Sequence, residues 1–144
     1  MEAAKEWVEL GANVNYIDGE RTVLQAAVIA NNAELVEYLL QQGADPNARS
    51  GHAKMTALMQ VKSPEVLDVL ARYGANPEVS DIDKSLPMEY LAYHQQKESI
   101  KRWLELGWPV KLSRKIKKML KVEGKDGILN LLISGCCTKK RVVY

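Results

Sequence analysis

Five glycines recur at a near-constant interval: Gly11, Gly43, Gly74, Gly107 and Gly135, spaced by 32, 31, 33 and 28 residues. An apolar set stands seven, four and three residues before each one. The sets are Ala4, Trp7 and Val8; Val36, Leu39 and Leu40; Leu67, Leu70 and Ala71; Ile100, Trp103 and Leu104; and Ile128, Leu131 and Leu132. A period of about 33 residues is the mark of a stacked repeat array, in which no unit is large enough to bury its own apolar face and each relies on its neighbours. This constraint removes most single-core folds. It also favours a surface for partners over a pocket for chemistry.

Residues 22–47 show one unit in full. Thr22 stands before Val23-Leu24 and the small pair Ala26-Ala27, as a hydroxyl capping a short helix would. Asn31-Asn32 breaks the pattern. Leu35, Val36, Leu39 and Leu40 then fall at i, i+1, i+4 and i+5, on one helical face. Gly43 provides the left-handed residue that ends a helix, and Ala44-Asp45-Pro46-Asn47 leads away in an extended loop. The predicted unit is helix, turn, helix, projecting loop.

This unit resembles the ankyrin repeat. The matching segments are Thr22-Val23-Leu24-Gln25-Ala26-Ala27 and Leu39-Leu40-Gln41-Gln42-Gly43-Ala44-Asp45-Pro46-Asn47. The ending returns as Gly11-Ala12-Asn13-Val14-Asn15 and as Gly74-Ala75-Asn76-Pro77. The first-helix start returns as Thr56-Ala57-Leu58-Met59, and Leu86-Pro87-Met88-Glu89 keeps its proline. The resemblance covers residues 3–110 clearly and 111–135 weakly. It implies an all-α ankyrin-repeat solenoid of stacked helix-turn-helix units with projecting β-hairpin loops.

Departures from the pattern set the expected organisation. The first unit shows only its second helix, over residues 2–10, so the chain either begins inside a longer array or lacks the partner helix. The unit from Thr56 to Gly74 is three residues shorter than its predecessor, with the loss near Lys62-Ser63-Pro64. A short first helix is expected there, with Ser63-Pro64 opening the second. Leu112, Ile116, Met119 and Leu120 share one face of a helix otherwise filled by Arg114, Lys115, Lys117, Lys118 and Lys121. Residues 127–133 supply a second short helix ending at Gly135. Trp108-Pro109-Val110 stands where the Ala-Asp/Asn loop is otherwise found. The expected divisions are an array over 1–110 (half a repeat plus three repeats), a basic helical cap repeat over 111–135 that ends the core, and a tail over 136–144.

Charge follows the same boundary. The net charge of +2 divides into −6 over residues 1–110 and +8 over 111–144. No run of about 18 apolar residues is present, and the N-terminus lacks an apolar secretory core. The two cysteines, Cys136 and Cys137, are adjacent and have neither disulfide-framework nor metal-ligand spacing. An intracellular, cytoplasmic setting is expected, which would be a host cytosol for a secreted effector or a viral protein.

No catalytic constellation, cofactor motif or metal set is legible. His52 and His94 have no Ser or Cys nucleophile beside them. Gly124-Lys125-Asp126-Gly127 lacks the spacing of a phosphate-binding loop, and the cysteines are not placed for prenylation. The chain is read as a non-catalytic, monomeric protein-interaction module.

In proteins of the resembled family, recognition uses hairpin tips and the exposed end of the first helix. Those positions here are Tyr16, Ile17 and Glu20; Arg49, His52 and Lys54; Asp81, Asp83 and Lys84; Val28 and Ile29; and Tyr93 and His94. Val28 and Ile29 could equally pack on the neighbouring hairpin. Trp7 and Trp103 are assigned to the core, and Trp108 to the junction with the cap.

Two further readings stand beside this one: a targeting module cut from a larger, effector-like enzyme, and an electrostatic adaptor using the Lys-rich cap. The cap's cations read first as a solvated face; for binding through them, an acidic protein surface ranks ahead of nucleic acid or an anionic membrane. The ladder assignment itself makes a prediction. Leu39→Ala should cost about 2–5 kcal/mol, measured by urea or thermal unfolding, and an unchanged curve would refute the buried stripe.

Overall fold

Capping chemistry sets where each helix starts. The computed structural model describes the backbone of residues 2–122 and 126–137, and those residues are all-α. The elements are α1 (Glu2–Glu9), α2 (Val23–Ile29), α3 (Ala33–Gln41), a short 3-10 helix (Ala57–Gln60), α4 (Pro64–Arg72), α5 (Pro87–Tyr93), α6 (Lys97–Glu105), α7 (Arg114–Val122) and α8 (Asp126–Cys137). Among the described residues the only strand-like pairings are isolated bridges, Ile17 with Thr22 and Ser50 with Met55, which close two fingers.

In the first full unit, the Thr22 hydroxyl accepts the Gln25 N–H at 3.1 Å while the Gln25 carboxamide oxygen accepts the Thr22 N–H at 3.1 Å. Such a reciprocal pair satisfies two orphan donors at the helix start. Asn31 takes a left-handed φ of 55° to turn the chain. Asn32 then caps α3 by accepting the Leu35 N–H at 3.1 Å.

The shorter second unit solves the same problem differently. Thr56 makes no capping bond, its hydroxyl is buried without a partner, and only a four-residue 3-10 helix forms. Met59 occupies the register of Gln25 and offers no oxygen to complete the pair. The turn then passes through extended Val61 (φ −62°, ψ 136°) rather than a left-handed residue. Ser63 accepts the Val66 N–H and Pro64 opens α4, as the sequence implies.

The period-marking glycines behave as helix terminators at four of the five positions. Gly43 holds φ +95° and Gly74 φ +84°, values that a β-carbon would strain. Gly135 departs from expectation: α8 continues through it to Cys137. No Ala-Asp/Asn loop follows this glycine, so no projecting turn draws the chain out of the helix. Cys136 and Cys137, assigned to the tail, are therefore helical. The rest of the tail and the Gly124-Lys125 turn lie outside the described residues.

The units stack in two rows. Second helices α3, α4, α6 and α8 pack in sequence, and first helices α2, the 3-10 helix, α5 and α7 form a parallel row. The core lies between them. Val36, Leu39, Leu67, Leu70, Ile100 and Trp103 have essentially no exposed surface.

Trp7 corrects the sequence reading. It holds the register of Leu39, Leu70 and Trp103, yet is 69% exposed, because no first-row helix pairs with α1 among the described residues. Trp108 packs edge-on against Trp103 with ring centroids 4.8 Å apart, sealing the passage into the cap. Leu112 precedes α7 rather than lying in it, and the Ser113 hydroxyl accepts the Ile116 N–H at the helix start.

Polar links tie neighbouring units together. Asn15 donates to the Gly43 carbonyl at 3.2 Å and accepts the Asp45 N–H at 2.8 Å. One period later, Asn47 donates to the Gly74 carbonyl at 3.2 Å and accepts the Asn76 N–H at 2.6 Å. At the third junction Glu78 takes that register and pairs with Lys111 of the cap instead.

The two threonines separate capping from mere presence. Thr22→Ala should cost about 1 kcal/mol. Thr56→Val should be neutral or stabilising, since it removes an unpaired buried hydroxyl. Chemical denaturation of the two variants checks the difference in sign.

Candidate functional site

The first row leaves its exposed side partly unfilled. Two solvent-open hollows run along it. One, of about 260 Å³, is lined by Ile29, Met55, Met59, Gln60, Val61, Lys62, Tyr90, His94 and Gln96. The other, of about 250 Å³, is lined by Ser85, Glu89, Tyr90, Tyr93, His94, Lys115, Ile116 and Met119. Tyr90 and His94 line both, so the hollows form one groove from the end of α2 to α7. Tyr93 and His94 meet edge-on with ring centroids 5.1 Å apart.

Short first helices produce this shape. α2 and α5 have seven residues each and the 3-10 helix has four, so their ends stop short and leave a trough beside the fingers.

The fingers form a wall along the groove. In the first, the exposed Asp18 carboxylate accepts the Glu20 and Arg21 N–H groups at 2.9 Å each. These backbone bonds, that from Arg21 foremost, hold its carboxyl below the ordinary carboxylate range. Gly51 of the second finger lies so near the first that an added β-carbon would stand 2.7 Å from the Glu20 carbonyl oxygen. The third finger joins the second through the Ile82 N–H, which donates to the Ala53 carbonyl at 2.9 Å.

Side chains at the foot of the wall fix it to the helices. Gln25 donates to the carbonyls of Met55 at 2.8 Å and Ala48 at 3.3 Å, and its oxygen accepts the Ser50 hydroxyl. Glu89 holds the Gln25 register in the third unit. Its carboxylate accepts the Leu86 N–H at 3.2 Å and the Ser113 N–H at 2.5 Å, linking α5 to the start of α7. The Tyr90 hydroxyl donates to Asp81 at 2.6 Å, bracing the third finger against α5.

Most residues singled out in the sequence lie on this surface. Ile29, Tyr93 and His94 line the groove, and Tyr93 is 45% exposed. Tyr16, Ile17, Glu20, Arg49, His52, Lys54, Asp83 and Lys84 are exposed on the fingers.

Two assignments are corrected. Val28 has no exposed surface, because it faces the neighbouring unit and only Ile29 reaches the groove. Asp81 is 3% exposed, because it accepts from Tyr90, Asp83 and Ser85 and so organises the finger from within. Ile82, which the sequence reading passed over, is 60% exposed between them. Asp at 81 and 83 was the available signal, since an aspartate that folds its own turn pushes the next residue outward. Met55, Met59, Tyr90, Ile116 and Met119 were also missed. Ile116 and Met119 stand on the apolar face of α7, and Met55, Met59 and Tyr90 belong to no motif that marks a contact position in the sequence.

On α7, Arg114, Lys115, Lys118 and Lys121 are exposed and Lys117 is half-buried. Among the described residues no cluster of His, Cys, Asp and Glu could hold a metal ion, and no helix is long and apolar enough to cross a membrane.

Comparison with known proteins agrees with the repeat reading. A family model described as "Ankyrin repeats (3 copies)" matches residues 1–81. The chain is 31% identical over 90 residues to E3 ubiquitin-protein ligase Ufd4 of Drosophila melanogaster, covering 61% of this chain and 3% of that protein. It is 36% identical over 76 residues to Ankyrin repeat and KH domain-containing protein mask-1 of Caenorhabditis elegans, covering 51% and 3%. It is 32% identical over 81 residues to BRCA1-associated RING domain protein 1 of Caenorhabditis elegans, covering 55% and 12%. The chain thus spans only a small part of the length of these relatives.

The Tyr90 brace has a pH signature. Burial, aided by the hydrogen bond to Asp81, pushes the phenol well above its ordinary value. A group whose folded pKa is raised contributes stability that is complete below its unfolded pKa, about 10 for tyrosine. That stability is lost as pH climbs toward the folded value. The wild type should therefore lose stability above pH ~10 more steeply than Tyr90→Phe. Urea midpoints across the alkaline range check this, and parallel curves would contradict it.

Proposed function

This chain belongs to the ankyrin repeat family, whose repeats are generally protein–protein interaction modules, and we propose that it is a non-catalytic, monomeric module that grips a partner protein along the first-row groove and the finger tips. One observation carries the reading. The groove runs across three successive repeats and the cap, is lined by Ile29, Met55, Met59, Tyr90, Ile116 and Met119, and stays open to solvent. A concave, largely apolar surface of this kind can take up side chains of a partner. Tyr93 stands at its edge as an aromatic anchor of the kind that dominates interface energetics.

The finger wall supplies a polar rim. Glu20, Arg49, Lys54, Asp83 and Lys84 give it charges of both signs, which suits register and specificity more than raw affinity. The adjacent Cys136-Cys137 pair fits an intracellular setting, where thiols stay reduced.

A second reading is that the module serves a larger protein. Its support is that the relatives are many times longer, and one of them is named as an E3 ubiquitin-protein ligase. Under either reading the groove is the contact surface.

Tyr93→Ala and Ile29→Asp should each weaken capture of the wild type's partner about tenfold or more. Lys101→Glu, on the outer helix row, should not. The measurement is titration of the purified partner against each variant, with helix content matched by circular dichroism. Equal affinity for all four proteins would place the contact elsewhere.

A further inference from the structure

The groove's two ends differ in charge, and that difference selects a class of partner. This inference rests on the groove reading and deepens it. α7 forms one wall of the terminal hollow and carries five Lys/Arg and no acidic residue over Arg114–Val122. Ile116 and Met119 line the hollow. Lys115 and Lys118, each one residue earlier, form the stripe beside them at the same helical spacing. Arg114, Lys115, Lys118 and Lys121 are exposed, and none forms an ion pair among the described residues.

One carboxylate, Glu89, lines the hollow from the α5 side. Glu89 is 5% exposed, and its two oxygens are engaged by the N–H groups of Leu86 and Ser113. The hollow is thus rimmed on its α7 side by exposed cations that form no ion pair among the described residues.

Size and charge together limit the occupant. A cavity of about 150 Å³ accommodates a benzene ring, so the terminal hollow of about 250 Å³ has room for one bulky side chain. The cationic rim asks for carboxylates close to that side chain. Over residues 1–110 the chain is net −6, with Asp18, Glu20, Glu78 and Asp83 exposed along the finger side. The fingers carry exposed charges of both signs, Arg21, Arg49, Lys54 and Lys84 beside Asp18, Glu20 and Asp83, so a long polyanion such as RNA finds no continuous basic track once it leaves α7. An anionic membrane is flat and cannot enter a concave hollow.

We propose that the α5–α7 end of the groove binds a short acidic segment of a partner protein. One bulky apolar side chain of that segment fills the hollow beside Tyr93, Ile116 and Met119. Flanking Asp or Glu residues pair with Lys115 and Lys118.

A random-peptide display library selected against the full chain tests this. Enriched peptides should carry a Leu, Met or aromatic residue next to acidic ones. The best of them should bind more weakly as sodium chloride is raised. Lys115→Glu/Lys118→Glu should weaken that peptide at least about tenfold, and replacing the peptide's acidic residues by lysine should restore binding to this variant alone. Both substitutions are on exposed positions, so loss of fold does not confuse the result.

Other outcomes separate the two levels of the argument. Enriched peptides that are neutral or basic but are lost with Tyr93→Ala would overturn the acidic class and leave the groove standing. Peptides indifferent to Tyr93→Ala, or no enrichment, would overturn both. A uridylate oligomer or phosphatidylserine vesicles binding more tightly than the acidic peptides would overturn the proposal in favour of those surfaces.

Discussion

The apolar ladder of each second helix is buried by its neighbours and not by its own unit, and everything else in the molecule depends on that arrangement. Leu39, Leu70 and Trp103 hold the same register and have essentially no exposed surface. Trp7 holds it too and is mostly exposed, because α1 has no paired first helix among the described residues. The comparison isolates the cause. Sequence chemistry is equal or richer at Trp7, and only the stacked neighbour is missing. In a quasi-one-dimensional stack, stability is a sum of unit and interface terms, so each interface matters to the elements on both sides of it.

Given the stack, buried polar groups decide how the projecting loops are held. Position 25 and its periodic equivalents carry Gln25, Met59 and Glu89. Gln25 completes a helix cap and ties α2 to the second finger, while Glu89 ties α5 to the start of the cap repeat. Met59 can do neither. The unit that contains it shrinks to a four-residue 3-10 helix and leaves a threonine hydroxyl without a partner. The same irregularity deepens the groove, since Met59 and Val61 line the hollow above that short helix. A local loss of helical regularity therefore becomes a feature of the binding surface.

The repeat period, the helix starts at Thr22 and Ser63-Pro64, the buried stripe and the weakened second unit were all legible in the sequence. Each depends on residues a few positions apart. The groove was legible only in part. Ile29, Tyr93 and His94 could be placed by register, but Met55, Tyr90 and the pair Ile116 and Met119 come from three segments distant in sequence and are brought to one groove only by stacking. Val28 and Asp81 were misplaced for one reason: register gives the distance along a unit but not the angle a side chain makes with the neighbouring unit. At adjacent positions Val28 and Ile29, that angle separates core from groove.

The sequence by itself determined that the chain repeats, where each helix turns and how charge reverses between array and cap, because periodicity, capping and charge are properties of order along the chain. Tertiary structure decided the rest. Stacking determined that Trp7 stays outside while Trp103 is sealed, that Asp81 turns inward to Tyr90 while Ile82 turns outward, and that the five glycines do not all end helices. These outcomes depend on which neighbour is present and at what angle it packs. That information belongs to the interface between units and to no single one of them.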